Sequence, residues 1–298
     1  MGNQLYGPVA DVAGQAGYPA DHPPRMGFFT DTSVCIGCKA CEVACKEWNL
    51  VPADGGRLLD SSYDHTGALG ADTWRHVAFV EQTAARAGPV DLGTPPTGTP
   101  AGQTAADPDR DVRWLMMSDV CKHCTHAACL DVCPTGSLFR TEFGTVVVQQ
   151  DICNGCGYCV PACPYGVIDI RRGDGRAWKC TLCYDRLRGG LEPACAKACP
   201  TDSIQFGPWD ELRERAARRV AELRERGVEG ARLYGADPAD GVGGAGAFFL
   251  LLDDPEVYGL PPDPVVTTRD LPSMWRHAVA AAVVAAATVV AAFLGSRR

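Results

Sequence analysis

Sixteen cysteines fall in four tight groups, and thiolate chemistry is what this sequence offers most plainly. The first group, C-I-G-C-K-A-C-E-V-A-C, places Cys35, Cys38, Cys41 and Cys45 with gaps of two, two and three residues. The third, C-N-G-C-G-Y-C-V-P-A-C-P, repeats that spacing at Cys153, Cys156, Cys159 and Cys163. Cys121, Cys124, Cys129 and Cys133 form a second group with a middle gap of four, and Cys180, Cys183, Cys195 and Cys199 a fourth with a middle gap of eleven. Proline follows the last cysteine of the second, third and fourth groups, at Pro134, Pro164 and Pro200. Thiolates in such runs are ligands for soft or borderline metals, and three on one short loop can each reach a different iron of an iron–sulfur cube. The fourth corner points away from that loop. A cysteine distant in sequence has to supply it.

Where two such runs share a fold, the fourth cysteine of each ligates the cluster of the other run. The four groups are therefore expected to act as interlocked pairs holding four 4Fe-4S clusters, with every corner a cysteine. Gly37, Gly155 and Gly157 beside the thiols would let backbone N–H groups approach cluster sulfur and tune its reduction potential. Zinc needs four ligands closed tetrahedrally, for which triplets at this spacing are awkward. Disulfides give no reason for the prolines. A scaffold with structural metal sites and no redox traffic would predict zinc-binding sites. His123 and His126 inside the second group read as hydrogen-bond donors or surface residues, and Tyr158 and Tyr165 as rings packed on the clusters to exclude water. No dinucleotide fingerprint, phosphate loop or nucleophile elbow is found. No catalytic residue is assigned, and chemistry on a substrate is expected elsewhere.

The elements that must position these groups belong to an ordinary globular chain. Its 298 residues are 46% apolar, enough for two packed cores or one enlarged by insertions. A net charge of −8 leaves no footprint for nucleic acid, which is set aside as a partner. Residues 1–27 are rich in Gly, Pro and Ala without the pattern of a secretory signal, and read as an arm lying on a partner. Residues 88–111 read as a mobile surface loop, because Pro, Thr and Gly offer little to bury. Two short strands at 138–141 and 145–149 should turn at Gly144. Over 208–227 a surface helix is expected, with Leu212, Ala216, Val220 and Leu223 on one stripe and pairs Glu211/Arg215, Glu214/Arg218 and Glu222/Arg226 on its solvated side. A glycine turn at 241–244 leads into a buried strand over 247–252. Residues 278–295 are eighteen uncharged residues headed by Trp275. As a helix they would run about 27 Å, near the hydrocarbon thickness of a bilayer.

The run from Cys121 to Gly207, with Y-G-V-I-D-I, W-K-C-T-L-C-Y-D-R-L and E-P-A-C-A-K-A-C-P-T-D-S-I-Q-F-G, resembles the iron–sulfur beta subunits of membrane-bound molybdenum or tungsten oxidoreductases. C-K-E-W-N near Cys45, G-V-G-G before an apolar strand, Y-G-L-P-P-D-P and a single C-terminal membrane helix extend the resemblance to the formate dehydrogenase-N type. The resemblance implies a nested pairing of the first group with the fourth and the second with the third. Cys35, Cys38, Cys41 and Cys199 would hold cluster 1, and Cys45, Cys180, Cys183 and Cys195 cluster 2. Cys121, Cys124, Cys129 and Cys163 would hold cluster 3, and Cys133, Cys153, Cys156 and Cys159 cluster 4. Nitrate reductase beta subunits are similar but replace one cysteine of the third group, so the intact group here argues for four 4Fe-4S clusters. The resemblance also implies that cluster 1 faces a molybdopterin-containing catalytic alpha subunit, and cluster 4 a membrane cytochrome b gamma subunit that reduces quinone.

The expected fold is α+β, two ferredoxin-like 4Fe-4S dicluster modules with one inserted in the other, plus a C-terminal transmembrane helix. The divisions are an arm at 1–27, the first part of the outer module at 28–112, the inner module at 113–172, the second part of the outer module at 173–270, and the membrane helix at 271–298. The expected function is electron relay in a formate:quinone oxidoreductase, the alternative being the equivalent subunit for a nitrate, sulfur-compound or sulfoxide reductase or a hydrogenase. Arg297 and Arg298 follow the apolar run and Arg276 precedes it. The excess of positive charge behind the span favours a cytoplasmic C-terminus in contact with membrane lipid, with the clusters outside; a cytoplasmic complex is the alternative.

Overall fold

The computed structural model describes residues 9–53, 63–85, 110–268 and 270–295. The chain opens with one helical turn, α1 (Val12–Gln15), then β1 (Met26–Asp31), a 3-10 turn (Thr32–Val34) and α2 (Ala40–Asn49). There follow β2 (Arg75–Ala85), β3 (Arg110–Val120), α3 (Ala128–Asp131), β4 (Leu138–Arg140), β5 (Val146–Val148), α4 (Cys159–Ala162), β6 (Asp169–Ile170) and β7 (Ala177–Trp178). The remainder holds α5 (Tyr184–Arg188), α6 (Ala194–Lys197), β8 (Ile204–Pro208), α7 (Trp209–Glu225), β9 (Arg232–Tyr234), β10 (Ala247–Leu251), a 3-10 turn (Pro255–Tyr258) and α8 (Leu271–Gly295).

A four-stranded sheet in the order β8-β1-β10-β9 divides the globular part. The two central strands, β1 and β10, run parallel and pair Phe28 with Ala247 through Asp31 with Leu250. Every residue of β10 is buried because the sheet is covered on both faces, which is why the strand reads as a continuous apolar run rather than an alternation. Phe29, Phe248 and Leu250 face α7, where Trp209, Leu212, Ala216, Val220 and Leu223 complete one core. Phe28, Ala247, Phe249 and Leu251 face the other way, into a core that includes Cys41, Cys45, Cys121, Cys180 and Cys195. Gly27 is needed where these strands meet, since a Cβ there would lie 2.2 Å from the Gly246 carbonyl oxygen.

The stripe anticipated on α7 is the buried one, but its ion pairs differ from the expected set. Glu222 pairs with Arg226, whereas Arg215 donates to Gln205 Oε1 at 2.8 Å instead of meeting Glu211, and no ion pair joins Glu214 to Arg218 among the described residues. Arg219 reaches off the helix to Asp31 Oδ2 at 3.0 Å and Ser33 Oγ at 3.1 Å, tying α7 to the turn that delivers the first thiol. The β4–β5 hairpin forms as anticipated, with Leu138 opposite Val148 and Gly144 in the left-handed region at φ 73°.

The described part of the N-terminal arm makes contacts with its own chain: Val12 and Ala13 are buried, and the Tyr18 hydroxyl donates to the Arg140 carbonyl at 3.1 Å. One expectation changes. Of the segment read as a loop over 88–111, residues 110 and 111 belong to β3, which pairs with β2 along eleven positions from Arg75↔Val120 to Ala85↔Arg110. The rest of that segment falls outside the described residues.

The C-terminal helix α8 is 25 residues long, and its Ser273–Gly295 stretch is long and apolar enough to cross a membrane. None of that stretch is buried by the rest of the protein, and Val279, Val283, Val290, Phe293 and Leu294 all stand exposed.

Because α7 covers the sheet face opposite the thiols, its packing and the thiol sites are separable. Leu212→Ala is expected to cost about 2–5 kcal/mol. This should appear as a lower thermal midpoint with unchanged cluster absorbance at room temperature; a loss of absorbance in the cold would contradict the separation.

Candidate functional site

Each cysteine run ends at a short helix that carries its third thiol, with the fourth four residues further along. Cys41 and Cys45 both lie on α2, whereas Cys133, Cys163 and Cys199 lie one or two residues past the ends of α3, α4 and α6. On α2 the four-residue step advances the thiols by about 6 Å, so that pair faces one side without sharing one point. In space α2 packs on α6 and α3 on α4.

Cys35, Cys38, Cys41 and Cys199 ring one small cavity, together with Val77, Ser118 and Ile204. Cys35 follows the 3-10 turn capped by the Asp31 carboxylate, which accepts from Ser33 N at 2.9 Å. Gly37 then takes φ 65°, where a Cβ would collide with Met116 Sδ at 2.7 Å. A second cavity is ringed by Cys121, Cys124, Cys129 and Cys163, with Tyr165, Lys122 and Lys179 in its wall. Cys45 lies close to Cys180, Cys195 and Cys183, near enough for charge on any of them to raise its pKa. The Asn49 amide stands 3.7 Å from both Cys45 Sγ and Cys183 Sγ. By the same measure Cys159 neighbours Cys153, Cys156 and Cys133.

The sets also adjoin one another in a fixed order. Cys41 of the first feels Cys195 of the second, Cys180 of the second feels Cys121, and Cys129 feels Cys159. Only two of the sixteen thiols are exposed, Cys38 in the first set and Cys156 in the last. Among the described residues, no three Cys, His, Asp or Glu side chains close on a single ion. The thiols instead surround spaces, as a polynuclear cluster requires and a lone zinc does not.

Burial dominates the electrostatics. It pushes the Cys41 thiol up to about 11 and Cys129 to about 12, in both cases against a nearby cation. Cys133 is the exception: although burial works upward, hydrogen bonds from Ser137, the Leu138 N–H and Thr135 bring it down to about 7. Thiols held neutral this firmly become thiolates only when cations such as iron stand among them. All-thiol sets of four without carboxylate or imidazole fit 4Fe-4S clusters, which supply one-electron exchange when bound.

His123 and His126 are both buried, so neither is a surface residue. His123 Nδ1 accepts from Val146 N at 3.1 Å, and burial together with the facing Lys179 holds its ring neutral. Tyr165 packs on the second cavity as expected, whereas Tyr158 is 61% exposed. Sequence reasoning overlooks Arg75 and Ser118, which reach the thiols from β2 and β3, and Lys179, whose Nζ donates to the carbonyls of Val146 and Cys180. Only their neighbours in sequence carry a signal. Lys179 precedes Cys180, while Arg75 and Ser118 lie outside every cysteine run.

Four sets of thiols in two interleaved pairs define an electron-transferring iron–sulfur protein of the dicluster type. The family described as 4Fe-4S dicluster domain matches residues 34–137, and a second of the same description matches 112–209. The chain is 37% identical over 279 residues to the nitrate-inducible formate dehydrogenase iron-sulfur subunit of Escherichia coli K12, covering 92% of this chain and 84% of that one. It is 40% identical over 250 residues to the formate dehydrogenase iron-sulfur subunit of Haemophilus influenzae, covering 83% and 72%. The B subunit of the anaerobic dimethyl sulfoxide reductase of Escherichia coli is 35% identical over 192 residues, 64% of this chain and 77% of its own. The protein belongs to the family of formate dehydrogenase iron–sulfur subunits, and it is an electron-transfer subunit of an oxidoreductase complex carrying four 4Fe-4S clusters.

Proposed function

We propose that this subunit relays electrons from a formate-oxidising molybdenum or tungsten catalytic subunit to a membrane cytochrome b subunit that reduces quinone. The observation that carries the reading is the line of four thiol sets, fully buried at the second set and exposing one cysteine at each end. Electrons enter beside Cys38 and leave beside Cys156. The match over 92% of the chain to a formate dehydrogenase subunit, against 64% for a sulfoxide reductase subunit, favours formate as the electron source. In the native complex formate alone should bleach the cluster absorbance reversibly. Reduction by another donor of this enzyme class with none by formate would overturn the substrate.

The ligand sets follow the nested pairing. Cluster 1 takes Cys35, Cys38, Cys41 and Cys199; cluster 2 takes Cys45, Cys180, Cys183 and Cys195. Cluster 3 takes Cys121, Cys124, Cys129 and Cys163; cluster 4 takes Cys133, Cys153, Cys156 and Cys159. The outer module at 28–112 and 173–270 then holds clusters 1 and 2 around α2 and α6, and the inner module at 113–172 holds clusters 3 and 4 around α3 and α4. Cys199→Ser should damage the same resolved cluster signal as Cys35→Ser, and Cys195→Ser a different one. Loss of one signal in both Cys199→Ser and Cys195→Ser would refute the pairing.

The exposed α8 anchors the subunit in lipid beside the cytochrome b, with the clusters on the extracytoplasmic side. This orientation follows from Arg297 and Arg298 behind the span against Arg276 before it. Protease added to intact spheroplasts should digest the globular part; protection until lysis would place it in the cytoplasm.

A further inference from the structure

Arg75 is almost wholly buried, at 1% exposure, on the strand that runs between the first two thiol sets. Its Nη2 donates to Cys195 Sγ at 3.2 Å, and its Nη1 to the Ser118 carbonyl at 3.1 Å and Ser118 Oγ at 3.4 Å. Ser118 Oγ in turn lies 3.1 Å from Cys41 Sγ. The guanidinium thus touches a sulfur of one set directly and a sulfur of the other through one hydroxyl. Its plane is held over the Phe28 ring, 4.8 Å from the centroid, and its Nε has no hydrogen-bond partner. No carboxylate pairs with it among the described residues. The negative charge facing it comes from Cys195, Cys41 and Cys180, whose attraction outweighs the burial that disfavours its charged form.

A buried cation without a carboxylate partner is expensive unless something anionic compensates it. Clusters with four thiolate ligands carry net negative charge, and taking up an electron increases it. The two lysines buried beside the thiols are differently placed. Lys122 is neutralised by Asp119, and Lys179 is held by two backbone carbonyls.

We propose that Arg75, with Ser118, is the device that sets the reduction potentials of the first cluster pair, raising them by favouring the reduced forms of the clusters on Cys41 and Cys195. The inference rests on the ligand sets proposed above. Two things act together: a charge that does not titrate in the working range, and hydrogen bonds to sulfur, which are known levers on cluster potential. Because the guanidinium spans both sets, it moves the two potentials in the same direction, directly at Cys195 and through the Ser118 hydroxyl at Cys41.

The test is a redox titration of the full complex followed by electron paramagnetic resonance, on wild type, Arg75→Gln, Arg75→Lys and Ser118→Ala, with iron and sulfide assayed in each. Arg75→Gln should disfavour reduction of clusters 1 and 2 about tenfold, a fall of about 59 mV for a one-electron couple, while clusters 3 and 4 stay unmoved. Arg75→Lys, which keeps the charge, should recover part of the fall. Ser118→Ala should lower cluster 1 alone. Unchanged potentials in Arg75→Gln, or an equal shift of all four clusters, would overturn the proposal. If Arg75→Gln fails to retain its iron, Ser118→Ala decides, and an unmoved cluster 1 there would equally overturn it. Signals in the wild type that cannot be assigned to the proposed ligand sets would instead count against the sets themselves.

Discussion

A thiolate in a low-dielectric interior costs several kcal/mol unless a cation stands beside it, and seven of the sixteen cysteines here are buried. Cys41, Cys45, Cys180 and Cys195 share one core with Phe28, Phe249 and Leu251, residues that offer no compensating charge. Burial therefore keeps these sulfurs protonated, and iron has to replace the protons when a cluster is loaded. The rest of the architecture serves that loading. A two-sided sheet supplies the wall, α7 seals its far face, and the β2–β3 ribbon brings an arginine to the place where the first two thiol sets meet.

The second constraint is the four-residue step between the last two cysteines of a run. On α2 it carries Cys45 one helical turn past Cys41, away from the cavity that Cys41 lines with Cys35, Cys38 and Cys199 and toward Cys180, Cys183 and Cys195. α2 packs on α6, and α3 on α4. The same geometry explains the widened gap in the fourth group. The residues between Cys183 and Cys195 form α5 and its following turn, where Asp185 accepts from the Trp48 indole at 2.8 Å and Arg186 covers that ring. The extra residues build surface between α2 and the rest of the module without changing where the thiols stand.

Much of this is legible in the sequence because it depends on local rules. Cysteine spacing, the stripe on α7, the uncharged length of α8, the β4–β5 turn at Gly144 and the apolar run of β10 each express a period or a turn preference that a short window reveals. What is not legible depends on pairings between distant strands. The parallel pairing of β1 with β10 joins residues more than two hundred positions apart. The β2–β3 ribbon is hidden because its strands flank a segment of loop-like composition. Arg75 and Ser118 are invisible for that reason: only the register Arg75↔Val120, with Ser118 two positions along the same ribbon opposite Val77, sets a charge and a hydroxyl between two cysteine runs. The role of His123 is concealed because its neighbours in sequence suggest a surface loop, whereas its backbone at φ 44° turns the ring inward to accept from Val146.

The distribution of charge along the thiol line follows from where water can reach. At the ends, beside the exposed Cys38 and Cys156, solvent or a docked partner stabilises the added charge of a reduced cluster. Cys45, Cys180, Cys183 and Cys195 lie in the dry interior and have no such help. There the protein has to provide fixed dipoles and charge in its place. The Leu182 N–H toward Cys180 Sγ at 3.3 Å and the Asn49 amide near two sulfurs are the dipoles, and Arg75 is the charge. A guanidinium keeps its charge at any working pH. The residue type at position 75 is thus the one that lets a buried site accept an electron without also having to accept a proton.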